Sequence, residues 1–363
     1  MNTFGKTIGL TIFGESHGLS IGAVLDGLPS GEAIDWDAVR AEMARRAPGK
    51  NQMSTARSEK DAFEVQSGFF NGYTTGTPLC AIIRNSDQHS RDYDQLRHIM
   101  RPGHADYSGK VRYGGFNDYR GGGHFSGRLT APLVFAGAVA SQILARHGIT
   151  VGSHILRLAG IADKPFNAVG ETAETLQALK KETLPVLDKA QASPMEEKIL
   201  AAKNDLDSVG GVIECMVTGL PAGIGDPFFD SVESQLSHMM FSVPAVKGIE
   251  FGDGFALAEL RGSQANDAFY YDGDVVKTRT NHNGGINGGI TNGMPIIFRL
   301  AVKPTASISQ KQETIDTDTK ENCDLVIKGR HDPCIVQRAI PVIEAAAAWA
   351  ILDVCLSEKG RCW

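Results

Sequence analysis

The 363 residues contain no Cys-x-x-Cys pair, no complete Gly-x-x-x-x-Gly-Lys-Ser/Thr phosphate loop and no surplus of positive charge: 36 Lys and Arg face 42 Asp and Glu, a formal charge of −6. An acidic chain without an extended basic face suits neither nucleic acid nor an anionic membrane surface, since both are held by clustered cations. The six cysteines (Cys80, Cys215, Cys323, Cys334, Cys355 and Cys362) have no metal-binding spacing and no secretory signal read ahead of them, so reduced thiols in a cytoplasmic protein are expected. Long apolar runs are scarce as well. The two most apolar, 131–145 and 339–356, are short or interrupted by Glu344 and Asp353, and no membrane span is expected from them.

Glycine is what the chain has in excess, 41 residues, gathered in "YGGFNDYRGGGHFSG" (113–127) and "NHNGGINGGITNG" (281–293). Such clusters occur where backbone turns through positive φ or approaches a ligand closely. Charge is also uneven. Between 101 and 128 stand Arg101, Lys110, Arg112, Arg120 and Arg128, with His104 and His124, against only Asp106 and Asp118. A cationic, glycine-rich patch on an acidic protein is what a small anionic ligand requires.

Periodicity places several elements. Asp35 caps an expected helix through Arg46, with Trp36, Val39 and Met43 on one face; Ser193-Pro194-Met195-Glu196 has the form of a capping box opening another, closed by Gly210-Gly211. "TAPLVFAGAVASQILARHG" and "IPVIEAAAAWAILDVCLSEK" read as Ala-rich internal helices. Strands are expected at 21–26, 211–218 and 294–303. Strand and helix do not alternate regularly, which argues against a doubly wound sheet, and 363 residues allow one large domain or two.

Three loops carry acid-base groups. In "GESHG" (14–18), Glu15, Ser16 and His17 lie between glycines; "RPGHADYSGK" (101–110) and "KGRHDPC" (328–334) each put a histidine near an aspartate beside an arginine. Each alone is more often a structural turn than a catalytic one, but together they suit removal of an anionic leaving group. "NGGINGG" (283–289) lacks the following helix of a dinucleotide loop, and His17, His104, His124, His331, Asp332 and Cys334 lack the spacing of a metal site.

These segments, with "DYRGGGHFSGRLTAPLVFAGAVA" (118–140), "AVKGIEFGDGF" (245–255), "RGSQANDAF" (261–269), "NHNGGINGGI" (281–290) and "KPTASI" (303–308), resemble the chorismate synthase family, in the family's order and over essentially the whole chain. The resemblance implies an α+β fold, one large domain over 1–363 with helices layered between antiparallel sheets, assembled as a homotetramer. It implies a lyase of the shikimate pathway that eliminates phosphate from 5-enolpyruvylshikimate 3-phosphate to give chorismate, using reduced FMN without net redox change. NADPH reduces the flavin in some members; a separate flavin reductase is expected here, because no second flavin or nicotinamide domain is read in the sequence.

By the same resemblance His17, with Ser16 beside it, stands at the departing phosphate; His104 faces the flavin as a charged imidazole; Asp332 assists proton uptake by the flavin nitrogen; and Ser126 joins the catalytic set. The flavin contacts carried over are His124, Phe125, Ser126, Pro244, Ala245, Gly288, Lys303, Pro304, Thr305, Ala306, Ser307 and Arg330, and the substrate or NADP contacts are Arg46, Gln52, Arg57 and Arg128; no metal is implied. Many members have Arg-Ser-Ser where this chain has His124-Phe125-Ser126, Asn at Pro244, Ser at Ala306 and Arg at Gln52. Those departures leave two alternatives open: a flavin-binding relative acting on another anionic substrate, and a non-catalytic flavin- or phosphate-binding protein. The second has no need of His17, His104 and Asp332 together.

Overall fold

The structure is a computed structural model that describes residues 1–49, 52–54, 61–85, 96–327 and 331–358. Along the chain, β1 (Thr3–Phe4), β2 (Gly9–Gly14) and β3 (Ser20–Asp26) precede α1 (Trp36–Arg46), followed by β4 (Phe63–Ser67), a ribbon of β5 (Phe69–Phe70) and β6 (Tyr73–Thr74), and β7 (Leu79–Arg84). Next come α2 (Asp106–Arg112), α3 (Thr130–Arg146), β8 (Thr150–Leu158), β9 (Ile161–Ala162), α4 (Ala173–Leu179), α5 (Ala192–Asn204), β10 (Gly211–Thr218), α6 (Val232–Met240), β11 (Val246–Phe251) and α7 (Gly262–Ala265). The ribbons β12 (Phe269–Asp272)/β13 (Val275–Thr278) and β14 (Ile286–Asn287)/β15 (Ile290–Thr291), then β16 (Ile296–Val302), the ribbon β17 (Lys311–Asp316)/β18 (Glu321–Val326) and α8 (Val336–Ser357) complete it.

Two antiparallel five-stranded sheets, in the orders β1-β2-β3-β7-β4 and β11-β16-β10-β8-β9, enclose a layer of helices. Helix α3 touches β2, β3 and β7 of the first sheet and β8 of the second, and α8 lies against α1, α3, α6, β8 and β10. One apolar cluster runs through both sheets and the helices between them, from Ile8 to Leu356. The strand expected at 294–303 forms as β16, where Ile296, Phe298, Leu300 and Val302 are all buried. Small residues set the helix spacing: a side-chain carbon on Gly137 of α3 would overlap the backbone of Ala345 in α8. The Ala-rich composition of both helices is therefore a packing requirement as much as a helix preference.

Asp35 caps α1 as expected, accepting from the N–H groups of Asp37 and Ala38. The Ser193 capping box does not form. A single 3-10 turn, Lys189–Gln191, capped by Asp188, runs directly into α5, so the helix begins at Ala192 and takes Pro194 into its first turn, where no N–H is needed. It ends at Asn204, short of Gly210. Helix α8 begins four residues ahead of Ile340 and spans 22 residues; it and 127–146 are long and apolar enough to cross a membrane, yet 94% and 83% of their apolar windows lie inside the protein. They are core helices.

The core also fixes the first functional loop. Asp353, buried on α8, accepts hydrogen bonds from the backbone N–H groups of Lys6 (2.9 Å), Thr7 (2.8 Å) and Ile8 (2.9 Å), anchoring the chain where it enters β2. β2 then ends at Gly14, directly before Glu15, Ser16 and His17.

Candidate active site

Glycines 121 to 123 sit between two of the three acid-base loops. Their φ angles are 59°, 83° and 54°, left-handed values that only glycine adopts in succession without strain. Absence of side chains here is also a matter of space. A Cβ on Gly121 would lie 2.5 Å from His17 Cδ2 and 3.0 Å from Ser16 Oγ, and one on Gly122 would lie 3.3 Å from His104 Cε1. The two imidazoles thus rest against adjacent residues of one turn. The Ser16 N–H donates to the Gly123 carbonyl (3.0 Å), joining the first loop to that turn. Ser16 is fully buried and its Oγ has no hydrogen-bond partner among the described residues.

Gly121 and His104 both line a cavity of about 840 Å³, within the size range of small-molecule sites. His17, 5% exposed, lies behind Gly121 and is not itself on the cavity wall. Arg46, Arg101, Arg128, Lys247, Lys303 and Arg338 stand on the wall with one carboxylate, Asp332. Counting Asp61 and Asp106 just behind it, these side chains leave the site at a net charge of +3 before any histidine is protonated. The cationic patch read between 101 and 128 is more neutralised than its sequence implies, because Arg101 pairs with Asp106, Arg120 with Asp118, Lys110 with Asp318 and Arg128 with Asp61.

Arg46 and Arg128 share one aspartate. Asp61 accepts from Arg46 Nε (2.8 Å) and Nη2 (2.5 Å) and from Arg128 Nη1, and all three side chains are almost fully buried. Arg46 also donates to Thr130 Oγ1 (3.3 Å) and Arg128 to Asn85 Oδ1 (3.1 Å). Gln52 is exposed, off the wall, its carbonyl accepting from Lys203 Nζ (2.7 Å). Arg57 and Arg330 lie outside the described residues.

Arg101 donates from Nε to Asp106 Oδ2 (2.6 Å) and from Nη2 to Oδ1 (2.7 Å), and from Nη1 to Ser307 Oγ (3.3 Å). His104 Nδ1 is 2.6 Å from Asp106 Oδ1. Burial opposes the charge on Asp106, but hydrogen bonds from Arg101 and His104 outweigh it and hold the carboxyl well below the usual range. His331 is affected in the opposite sense: burial first, then the charges of Arg101 and His104, lower its pKa against the pull of Asp332, so the ring is neutral at pH 7. Its Nε2 is buried without a hydrogen-bond partner among the described residues.

Asp332 is paired with Arg338 in the first turn of α8, and Arg338 Nε also donates to the Arg46 carbonyl (3.1 Å). Burial lowers the pKa of Arg338, with Asp332 opposing. Arg338 and Asp61 do not stand out in the sequence, and Asp106 and His331 do so only as the neighbours of His104 and Asp332 in their loops. For Arg338 the signal was an arginine six residues after Asp332, just beyond the KGRHDPC loop. For Asp61 there was none.

The flavin-type segments converge. The Lys303 N–H donates to the Ala245 carbonyl (3.0 Å), placing Pro244-Ala245 beside Lys303–Ser307, and Lys303 Nζ donates to the Gly103 carbonyl (2.5 Å), next to His104. His124 Nδ1 donates to the Gly14 carbonyl (2.8 Å), while Ser126 Oγ accepts from the Arg128 N–H (3.3 Å) as the cap of a short turn. Phe125 occupies the space over Gly109, where a Cβ would meet its ring at 2.6 Å, and tilts against Tyr113. The ring at 125 is thereby accommodated by two neighbours. Gly288 is exposed in the turn between β14 and β15, with open space over its Cα, and is not on the cavity wall.

Ala245 lines the cavity with φ of 73°. Left-handed backbone costs a residue with a Cβ roughly 1–2 kcal/mol, a type of strain that gathers at functional sites. Ala245→Gly should therefore raise the stability of the protein by about 1 kcal/mol in denaturant unfolding; an unchanged or lower midpoint would contradict the assigned strain.

A cationic cavity flanked by imidazoles, a carboxylate and a glycine turn, set between antiparallel sheets, is the apparatus of an enzyme that handles a small polyanion. The sequence profile described as chorismate synthase matches residues 8–356. Chorismate synthase of Dehalococcoides mccartyi is 45% identical over 355 residues, covering 98% of this chain and 96% of that relative. That of Methanosarcina mazei is 44% identical over 352 residues (97% and 95%), and that of Chitinophaga pinensis 45% over 359 (99% and 98%). Among solved structures, a crystal structure of chorismate synthase superposes with a TM-score of 0.76 at 27% identity, covering 98% of this chain and 94% of that one. The chain belongs to the chorismate synthase family and is a lyase, with the α+β layering that its motifs implied.

Proposed function

We propose that this chain, a single domain over 1–363, performs the 1,4-elimination of phosphate from 5-enolpyruvylshikimate 3-phosphate with reduced FMN held in the cavity. The observation that carries the proposal is the convergence on one positively charged cavity of His104, the Gly121 wall over His17, the Asp332–Arg338 pair and the segment Lys303–Ser307. The donor set fits a flavin nucleotide. Thr305 Oγ1 is buried with no partner among the described residues, in a run that also offers the Lys303 ammonium and the Ser307 hydroxyl. His124, Phe125, Ser126, Pro244, Ala245 and Lys303–Ser307 would hold it, with Arg330 and Gly288 carried over from the resemblance, although Gly288 lies off this cavity. The proposed assembly is a homotetramer. Bound in reduced form, the flavin supplies electron density to the breaking C–O bond and recovers it, so no net oxidation results.

The chain's own residues do the rest. The cations on the wall balance the substrate's two carboxylates and phosphate. His17 donates a proton toward the departing phosphate, with the Ser16 hydroxyl beside it, and Gly121 keeps both close to the cavity because it adds no side chain between them. Asp118 and Arg120 flank this corner, and Asp118 is held ionised by its hydrogen bond from Arg120 with His17 adding to the effect. His104 holds a positive charge toward the flavin. Asp332, oriented by Arg338, provides a carboxylate for the proton lost from the substrate. Ser126 is kept near the site by its capping role.

A separate reductase supplies the reduced flavin in this reading, NADPH serving as its electron source, and the enzyme works in the cytoplasm. Turnover under anaerobic conditions should require reduced FMN; equal turnover with oxidised FMN and no reductant would overturn the cofactor assignment.

A further inference from the structure

We infer that Asp106 is a positioning residue that fixes the tautomer of His104, keeping the proton on Nδ1 and presenting Nε2 to the cavity at Gly122. The functional part of this inference rests on the role proposed above for His104; the tautomer itself rests on the geometry alone.

His104 Nδ1 has two close neighbours, Asp106 Oδ1 at 2.6 Å and Arg101 Nη2 at 3.1 Å. A guanidinium is only a donor, so Nδ1 could accept from Arg101 only if it carried no proton, and it would then face the Asp106 oxygen lone pair to lone pair. The carboxylate decides between the two arrangements. Both its oxygens are engaged by Arg101, at 2.6 and 2.7 Å, and the side chain is only 7% exposed, so it remains an ionised acceptor in a fixed orientation. With the proton on Nδ1, the imidazole meets Oδ1 as a 2.6 Å ion-pair contact beside the 2.7 Å hydrogen bond from Arg101 Nη2, and no lone pair of Nδ1 faces the carboxylate.

Nε2 lies on the opposite side of the ring, 3.4 Å from where a Gly122 Cβ would be, and His104 lines the cavity. Other groups near the ring reinforce the arrangement. Lys303 Nζ is bonded to the adjacent Gly103 carbonyl, and His331 is near enough to Arg101 and His104 for their charges to lower its pKa. Asp106 is thus the carboxylate paired with His104 Nδ1 among the described residues. A carboxylate behind an imidazole orients the ring, which leaves Nε2 as the face turned toward a bound flavin.

Substitution by asparagine is a severe test. Arg101 donates to both oxygens, so an amide nitrogen at either position meets an N–H donor, and either the arginine fork or the histidine bond must break. In Asp106→Asn we expect kcat to fall on the order of tenfold, part of the 10²–10⁴ that a positioned acid-base group contributes, with substrate KM little changed.

The test that survives misfolding of the variant uses the unaltered protein. Nitrogen-15 spectra of histidine-labelled protein, with His104 assigned by its loss in His104→Ala, should show Nδ1 protonated throughout the titration, in the cation and in the neutral ring. A neutral Nε2–H tautomer at His104 would overturn the inference. If the tautomer is as expected but Asp106→Asn retains both the tautomer and kcat, the positioning role is likewise overturned. Failure of the proposed function would register separately, as near-normal kcat in folded His104→Ala.

Discussion

His17→Ala and His104→Ala should each yield folded protein that binds FMN and substrate but turns over at least about tenfold more slowly, a loss of about 1.4 kcal/mol or more of transition-state stabilisation. The expectation follows from where the rings rest. His17 is buried behind Gly121 and His104 stands at Gly122, so alanine at either site removes an acid-base group from beside the cavity without touching the backbone that shapes it. A bracing role predicts something else: stability and activity would fall together, because a brace acts by holding the turn. The glycine turn is held independently by the Ser16 N–H to Gly123 carbonyl bond, which neither substitution removes. Steady-state kinetics with thermal melts on both variants separate the two. Near-normal kcat in either well-folded variant removes that histidine from the mechanism.

Asp61→Asn should destabilise the protein by about 3–5 kcal/mol, the usual consequence of removing one partner from a buried ion pair, and lower the melting temperature on the order of 10 °C. Asn is the informative replacement. Asp61 has φ of 47°, a left-handed value that Asp and Asn tolerate better than Ala, so the amide removes the charge without adding backbone strain. What remains is two buried guanidinium groups, Arg46 and Arg128, sharing one neutral acceptor. Because both arginines also line the cavity, the variant should lose order at the substrate side along with stability. A melting temperature within about 2 °C of the parent would show that Asp61 does not carry the charge balance assigned to it.

The sequence made some of this visible and hid the rest for physical reasons. Local signals gave α1 with its Asp35 cap, the β10 and β16 strands and the Ala-rich α3, because these elements depend on a cap or a repeating apolar face. The start of α5 was misread because a 3-10 turn capped by Asp188 precedes it, and one turn of helix feeding another leaves no distinctive pattern. In the site, the glycine cluster and the three acid-base loops were legible from residue type. Their partners were less so. Asp61 meets Arg128 across 67 residues, and Arg101 meets Ser307 across 206, so only the folded chain shows which charges are already balanced. Phe125 shows the same limit: as a departure from the family's pattern it suggested loss of a hydroxyl, whereas its accommodation over Gly109 and beside Tyr113 is a matter of packing.

The most direct measurement is an anaerobic assay of the purified protein with 5-enolpyruvylshikimate 3-phosphate and reduced FMN, following chorismate, inorganic phosphate and the flavin spectrum together. Chorismate and phosphate should be released one for one, with the flavin still fully reduced after many turnovers. Phosphate release without chorismate, or flavin oxidised in proportion to product, would contradict the proposed elimination.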